Sequence, residues 1–176
     1  MVTMLTISIL LVVLFVGTAI WNNKELPESV SAMVYDLPRS GQWVWIVWMW
    51  AVALLMCIPL IDALPDGARM LGFLTLACLV FCGAMPISDN TTNRRAHNAF
   101  GILGGVLSQV CVAIVSPWWL LAWLFFVVIY VYDLLPLQDR CVYSSHWYDG
   151  KGVFLKETIC AITVFESLLA VPIGLL

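Results

Sequence analysis

Six long apolar stretches dominate the chain and restrict the folds that it can adopt. They lie near residues 2–21, 42–64, 68–85, 96–115, 118–135 and 156–176. Each is long enough, or nearly so, to cross a hydrocarbon core of about 30 Å as an α-helix. The sequence therefore predicts one all-α transmembrane domain over 1–176, built as a six-helix bundle.

The composition agrees with an integral membrane protein. Only 11% of the residues are charged and 62% are hydrophobic, whereas a soluble domain has roughly 25% charged residues. So little charge could not cover the core of a soluble protein of this size. The eight Lys and Arg residues are scattered among the connections, which argues against nucleic-acid binding. Membrane lipid is the expected partner.

The Lys and Arg residues also predict an orientation. The first, third and fifth connections hold seven of them, Lys24, Arg39, Arg94, Arg95, Arg140, Lys151 and Lys156, whereas the second holds only Arg69. The positive-inside rule then places the odd-numbered connections in the cytoplasm and both termini outside an inner membrane. The first stretch lacks a basic n-region and is long for a signal peptide, so we expect a retained helix.

Local signals support these boundaries. Asp66 is a candidate N-cap after the second span, and Ser116 followed by Pro117 is a start signal for the fifth. Tryptophans are expected at the two interfaces: Trp43 and Trp45 at the cytoplasmic one, and Trp118 and Trp119 at the other. Five of the six cysteines lie inside apolar runs, which predicts small hydrophobic side chains rather than disulfides; Cys141 is the exception.

The segment "LPESVSAMVYDLP" predicts a short amphipathic helix over 27–37, between the first two spans. Its apolar residues, Leu26, Val30, Met33, Val34 and Leu37, fall within one arc of about 100°. The other side carries Glu28, Ser31, Tyr35 and Asp36. Surface-binding helices usually carry Lys and Arg there. Two interpretations remain open: a helix that closes the mouth of the bundle, and a linker that lies flat on the membrane.

The fourth span opens with His97 and Asn98. Gly101, Gly105 and Ser108 follow at a spacing that lets another helix approach closely. We expect them to pack against a neighbouring helix, or against a second copy or another membrane protein. Gln109 lies near the middle of this span and should find a hydrogen-bond partner.

The predicted topology gathers polar residues on the cytoplasmic side. The candidates for binding a ligand there are Glu28, Tyr35, Asp89, Arg94, Arg95, His97, Asn98, Asp133 and Glu157. Three interpretations compete: these residues cap helix ends, they bind an anionic headgroup or a small metabolite, or they form a metal-dependent membrane hydrolase with His146 as a further ligand. Two histidines without an i, i+4 pair are weak support for zinc. We therefore predict no metal, no cofactor and no catalytic residue, and lean towards a protein that is not an enzyme.

Glu166 is a carboxylate near the middle of the sixth span. Such residues are costly in a membrane and mark functional sites. Gln109, at a similar depth, is a candidate partner. An oligomeric channel or transporter lined by Gln109 or Glu166 is a further alternative, although no inverted repeat supports it.

Two stretches carry a resemblance to a known family. They are Pro27, Ser29, Ser31 and Ala32 after the first span, and Pro86, Asp89, His97 and Asn98 at the fourth. Over roughly residues 20–115 the chain resembles short polytopic membrane proteins of bacteria that are distantly similar to six-helix proteins of the DRAM/Sfk type. The resemblance implies a six-helix fold in a bacterial inner membrane. It implies no activity.

Overall fold

The computed structural model describes residues 1–23, 29–85, 91–125, 127–128 and 151–173. Within these ranges every regular element is helical, which confirms the all-α class. The long helices are α1 (Val2–Asn23), α2 (Trp43–Ala63), α3 (Arg69–Ala84), α4 (Thr91–Val115) and α5 (Lys151–Ile173). Short 3₁₀ helices cover Ser31–Asp36, Arg39–Gly41, Asp66–Ala68 and Pro117–Leu121.

Four helical segments are long and apolar enough to cross a membrane. They are Val2–Asn22, Trp43–Ala63, Asp66–Ala84 and Thr92–Val115, and they correspond to the first four predicted spans. The predicted fifth span, 118–135, is described only as far as residue 128. The predicted sixth span, 156–176, lies largely within α5, which carries Lys156, Glu157 and Glu166 and is not one of the four.

The helices pack mainly on their neighbours in the chain. α1 contacts α2, α3 lies between α2 and α4, and α5 packs against α4 and also contacts α1 and α2. The most deeply buried apolar side chains come from several helices: Leu5, Trp45, Val112 and Leu168 are each at most 1% exposed. The faces that point away from the bundle are apolar as well, as at Val13 and Leu14 of α1. This pattern suits a surface in contact with lipid.

Glycines set the closest approaches between helices. A Cβ atom on Gly83 would lie 2.6 Å from the Cβ of Met49 in α2, and one on Gly104 would lie 3.0 Å from the Cβ of Cys78 in α3. The two glycines predicted to pack against a neighbouring helix contact different ones: Gly101 faces Cys82 of α3, and Gly105 faces Cys160 of α5, both at ordinary contact distance. Gly104, which is not among the predicted packing residues, lies closer to its neighbour than either of them.

The two tryptophans predicted at the cytoplasmic interface differ in their surroundings. Trp43 is exposed, but Trp45 is only 1% exposed. The Trp45 ring lies 5.7 Å from Phe15 and 5.1 Å from Trp48, measured between ring centroids. Because residues two apart on a helix point to nearly opposite sides, Trp45 faces the core while Trp43 faces outward. The level of both at the cytoplasmic interface stays a prediction.

The segment predicted as an amphipathic helix over 27–37 is described from Ser29 onward. It forms the 3₁₀ helix Ser31–Asp36, with backbone N–H groups donating to the third residue before them. The apolar arc points inward, since Met33 and Val34 are each 1% exposed. Ser31, predicted on the polar side, is also buried.

The predicted helix-start signals at Asp66 and Ser116 are matched by the structure only in part. Asp66 begins a 3₁₀ turn instead of capping α3 directly, and its carboxylate forms an ion pair with Arg69 at 3.0 Å. Ser116 does precede the helix that starts at Pro117, but its side chain makes no capping hydrogen bond.

Candidate functional site

His97 lies at the point where the end of α3 meets the beginning of α4. Its side chain is 4% exposed. Its Nδ1 atom is 2.7 Å from the carbonyl oxygen of Met85 and 3.0 Å from that of Cys82. Carbonyl oxygens only accept hydrogen bonds, so Nδ1 carries the proton and Nε2 is left as an acceptor in the neutral ring.

The sequence explains why these carbonyl groups need a partner. The last carbonyl groups of a helix lack an N–H group from the next turn. For Cys82 the residue four positions later is Pro86, which has no N–H group. His97 supplies the missing donor from α4 and so caps the C-terminal end of α3.

The thiol of Cys82 is the other neighbour of the His97 ring. Its Sγ atom lies 3.6 Å from both Nδ1 and Nε2. An atom equally distant from the two nitrogens is not aligned with the lone pair of either. A nucleophilic cysteine needs its base within directed hydrogen-bond reach. This thiol therefore packs against the imidazole and is not set up for proton transfer.

Glu157, in the second turn of α5, accepts hydrogen bonds from the segment that follows α1. Its Oε2 atom accepts from the backbone N–H group of Val30, with 2.5 Å between the oxygen and the nitrogen. Ser29 completes the arrangement, since its Oγ accepts from the N–H group of Ala32 at 3.0 Å. The start of the short helix Ser31–Asp36 is thus stabilised by a carboxylate from a distant helix at Val30 and by Ser29 at Ala32.

Arg94, Arg95 and Asn98 differ from His97 and Glu157 in that their side chains face outward. All three side chains are exposed at the beginning of α4. The next residues on this side of the helix are apolar and exposed, as at Ile102. Among the candidates whose side chains the structure describes, these three are therefore open to a molecule outside the bundle.

Gln109 is the centre of a polar network inside the bundle. Its Oε1 accepts from the indole N–H of Trp123 at 2.8 Å and from the hydroxyl of Thr163 at 3.1 Å. Its Nε2 lies 3.4 Å from the carbonyl oxygen of Cys160 and 3.2 Å from the hydroxyl of Ser108. The predicted need for a partner is met, by residues other than the suggested Glu166. No hydrogen bond among the described residues involves the Glu166 side chain.

Several predicted site residues lie outside what the structure describes. Glu28, Asp89, Asp133 and His146 are not in the described ranges, and Tyr35 is described only in its backbone. Among the described residues, no three His, Cys, Asp or Glu side chains are grouped so that they could hold a metal ion. The structure thus connects neither His97 nor Glu157 to a group of metal ligands.

Sequence reasoning identified His97, Glu157 and Gln109 but missed their partners. Thr163, which is fully buried, and Trp123 carry no signal that distinguishes them from other residues of an apolar span. Pro86 did carry one, because a proline four residues after Cys82 predicts a carbonyl oxygen without a donor. Ser29 could have been recognised as a cap three residues before Ala32.

No protein-family model matches the chain, and neither does any curated protein or solved structure.

Proposed function

We propose that the chain is a six-span protein of a bacterial inner membrane that binds the headgroup of an anionic lipid at the cytoplasmic end of α4. Arg94, Arg95 and Asn98 would hold the headgroup. The observation that carries this proposal is the contrast between the polar residues at this end of the bundle. His97 and Glu157 are occupied in joining helices, whereas the two arginines and the amide face outward. The proposed role is binding, without catalysis.

The helical spacing supports a single binding surface. Asn98 follows Arg94 by four residues and Arg95 by three, so the amide is next to both guanidinium groups on the surface of α4. Guanidinium groups suit phosphate oxygens because they present several N–H donors in one plane. The N-terminal end of α4 adds a favourable dipole for an anion.

The depth of these residues also suits a headgroup. The apolar part of α4 begins at Ala99. With a rise of about 1.5 Å per residue, Arg95 lies roughly 6 Å beyond the first apolar residue, at the level where lipid phosphates are found. The exposed Ile102 and Val106 continue towards the middle of the membrane, where acyl chains would contact them.

The remaining topology is part of the same proposal. Two further crossings, by the stretch near 118–135 and by the region of α5, bring the total to six and leave both termini outside. The excess of Lys and Arg in the odd-numbered connections supports this orientation.

Lipid titration tests the proposal. The purified protein would be titrated in detergent with phosphatidylglycerol or phosphatidylcholine, with bound lipid counted by native mass spectrometry. We expect a preference for phosphatidylglycerol that falls by about tenfold or more in the double variant Arg94→Gln/Arg95→Gln, since each basic residue near an anionic surface contributes about 1 kcal/mol.

Arg69→Gln is the matched control. Arg69 is an exposed arginine at the other end of α3, where it pairs with Asp66, so its loss should leave binding unchanged. Glycerol phosphate without acyl chains separates a lipid from a small metabolite, because only a metabolite site would bind it equally well. Equal affinity for the two lipids, or an unchanged double variant, would refute the proposal.

A further inference from the structure

The segment 29–36, which we call the strap, is hydrogen-bonded to another helix through one side chain, Glu157. Its hydrogen bonds fall into two groups. Ser29 Oγ bonds to the N–H group of Ala32 and to the hydroxyl of Ser31 at 3.1 Å, and these bonds lie within the segment. The bond from the N–H group of Val30 to Glu157 crosses to another helix. The first group can persist when the second is broken.

A few apolar side chains of the segment pack against the bundle. Met33 and Val34 are its fully buried side chains, and Val34 belongs to the main hydrophobic cluster of the bundle together with Trp45 and Leu5. Val30 packs partly against the same cluster. The contacts that α2, α3 and α4 make with one another do not involve this segment, so its release would leave them in place.

Glu157 is well positioned to fasten the segment. Its Oε2 atom accepts from the backbone N–H group of Val30, and α5 itself packs against α4. Glu157 therefore joins the segment to a helix that is held in the bundle.

We propose that residues 29–36 form a strap that opens and closes as a unit on the end of the bundle, with the Glu157 carboxylate as the latch that determines how often it opens. Native proteins open locally in contiguous units of this size while the remaining helices stay intact. The strap lies at the same end of the bundle as Arg94 and Arg95, but its opening does not depend on lipid binding there.

Hydrogen–deuterium exchange of the protein in phosphatidylcholine nanodiscs tests the latch. Peptides covering 29–37 report on the strap, and peptides covering 52–60 of α2 report on the bundle. In the unmodified protein, strap amides should exchange faster than α2 amides. Glu157→Ala removes the acceptor and should speed strap exchange by about tenfold or more, with α2 unchanged. Glu157→Gln keeps one carbonyl oxygen and should give a smaller increase.

Glu166→Gln is the control, since it alters a carboxylate nine residues further along the same helix and should not affect the strap. An unchanged strap in both Glu157 variants would overturn the proposal. So would an equal increase in the strap and α2, which would show that Glu157 supports the whole bundle. If Glu157→Ala is not recovered as folded protein, Glu157→Gln and the comparison of strap with α2 in the unmodified protein decide the question.

Discussion

The Nδ1 atom of His97 lies 2.7 Å from the carbonyl oxygen of Met85, so a side chain at the start of α4 closes the end of α3. The two residues are on opposite sides of a connection whose residues 86–90 are not described. His97, a candidate for ligand binding in the sequence, thus caps a helix in the structure. Its loss should affect stability more than any binding activity.

Replacement of His97 by alanine should lower the free energy of unfolding by about 2–4 kcal/mol, because two buried carbonyl oxygens lose their donor. His97→Asn places an amide N–H where Nδ1 was and should retain part of the stability. His97→Gln places its amide near the Nε2 position and should behave like alanine. Unfolding in mixed micelles of dodecyl maltoside and SDS measures the differences.

Asn98→Ala is the control for this series, because the neighbouring side chain is exposed and its loss should change stability by less than about 0.5 kcal/mol. Equal stability of the asparagine, glutamine and alanine variants would contradict a capping role that depends on Nδ1.

The positions of the helices could be predicted from the sequence because hydropathy is a local property. The second stretch, 42–64, differs from α2 by one residue at each end. The fourth, 96–115, starts five residues later than α4, which begins at Thr91. Hydropathy marks where the chain enters lipid, whereas the helix itself continues through polar residues into the aqueous layer.

The partners of the polar residues could not be predicted in the same way. Glu157 and Val30 are 127 residues apart in sequence, and their contact depends on how α5 packs against the rest of the bundle. A sequence shows that a buried carboxylate needs donors but not which backbone supplies them. The same holds for Gln109, whose partners come from two other elements.

Glycine substitutions should have opposite effects according to the space around each glycine. Gly83→Ala places a Cβ 2.6 Å from the Cβ of Met49, an atom fixed to the backbone of α2, and should cost about 1–3 kcal/mol through overpacking. Gly72→Ala meets the ends of the Ile61 and Leu64 side chains at 2.8 and 2.9 Å. Because these ends can move, the cost should be smaller.

Gly17→Ala is the matched control, since within the described ranges no atom of another element lies within 4 Å of the position that its Cβ would take. Alanine should there stabilise α1 by about 0.5–1 kcal/mol through its helix propensity. The same micelle unfolding assay ranks the three variants. A Gly83→Ala protein as stable as the unmodified one would show that α2 and α3 pack less closely than described.

Gln109→Leu should lower the free energy of unfolding by about 1–2 kcal/mol, since Trp123 and Thr163 lose an acceptor inside the bundle. A double-mutant cycle with Thr163→Val isolates one of these bonds and should give a coupling of roughly 0.5–1 kcal/mol. The corresponding cycle with Glu166→Leu should give none. A coupling to Glu166 as large as that to Thr163 would restore the pairing suggested by the sequence.

The orientation of the bundle can be tested with reporter fusions, because alkaline phosphatase is active only outside the cytoplasm, whereas green fluorescent protein fluoresces when it stays inside. A fusion after Gly67, between α2 and α3, should give phosphatase activity without fluorescence. A fusion after Gln42, before α2, should give fluorescence without phosphatase activity. The physical reason is the excess of Lys and Arg in the odd-numbered connections, which the positive-inside rule keeps in the cytoplasm.

The reverse pattern would place Arg94 and Arg95 outside, so that any anionic lipid they bind would belong to the outer leaflet. Substituting Lys24 and Arg39 by glutamine in the fusion after Gly67 would show whether the charge of the first connection sets the orientation.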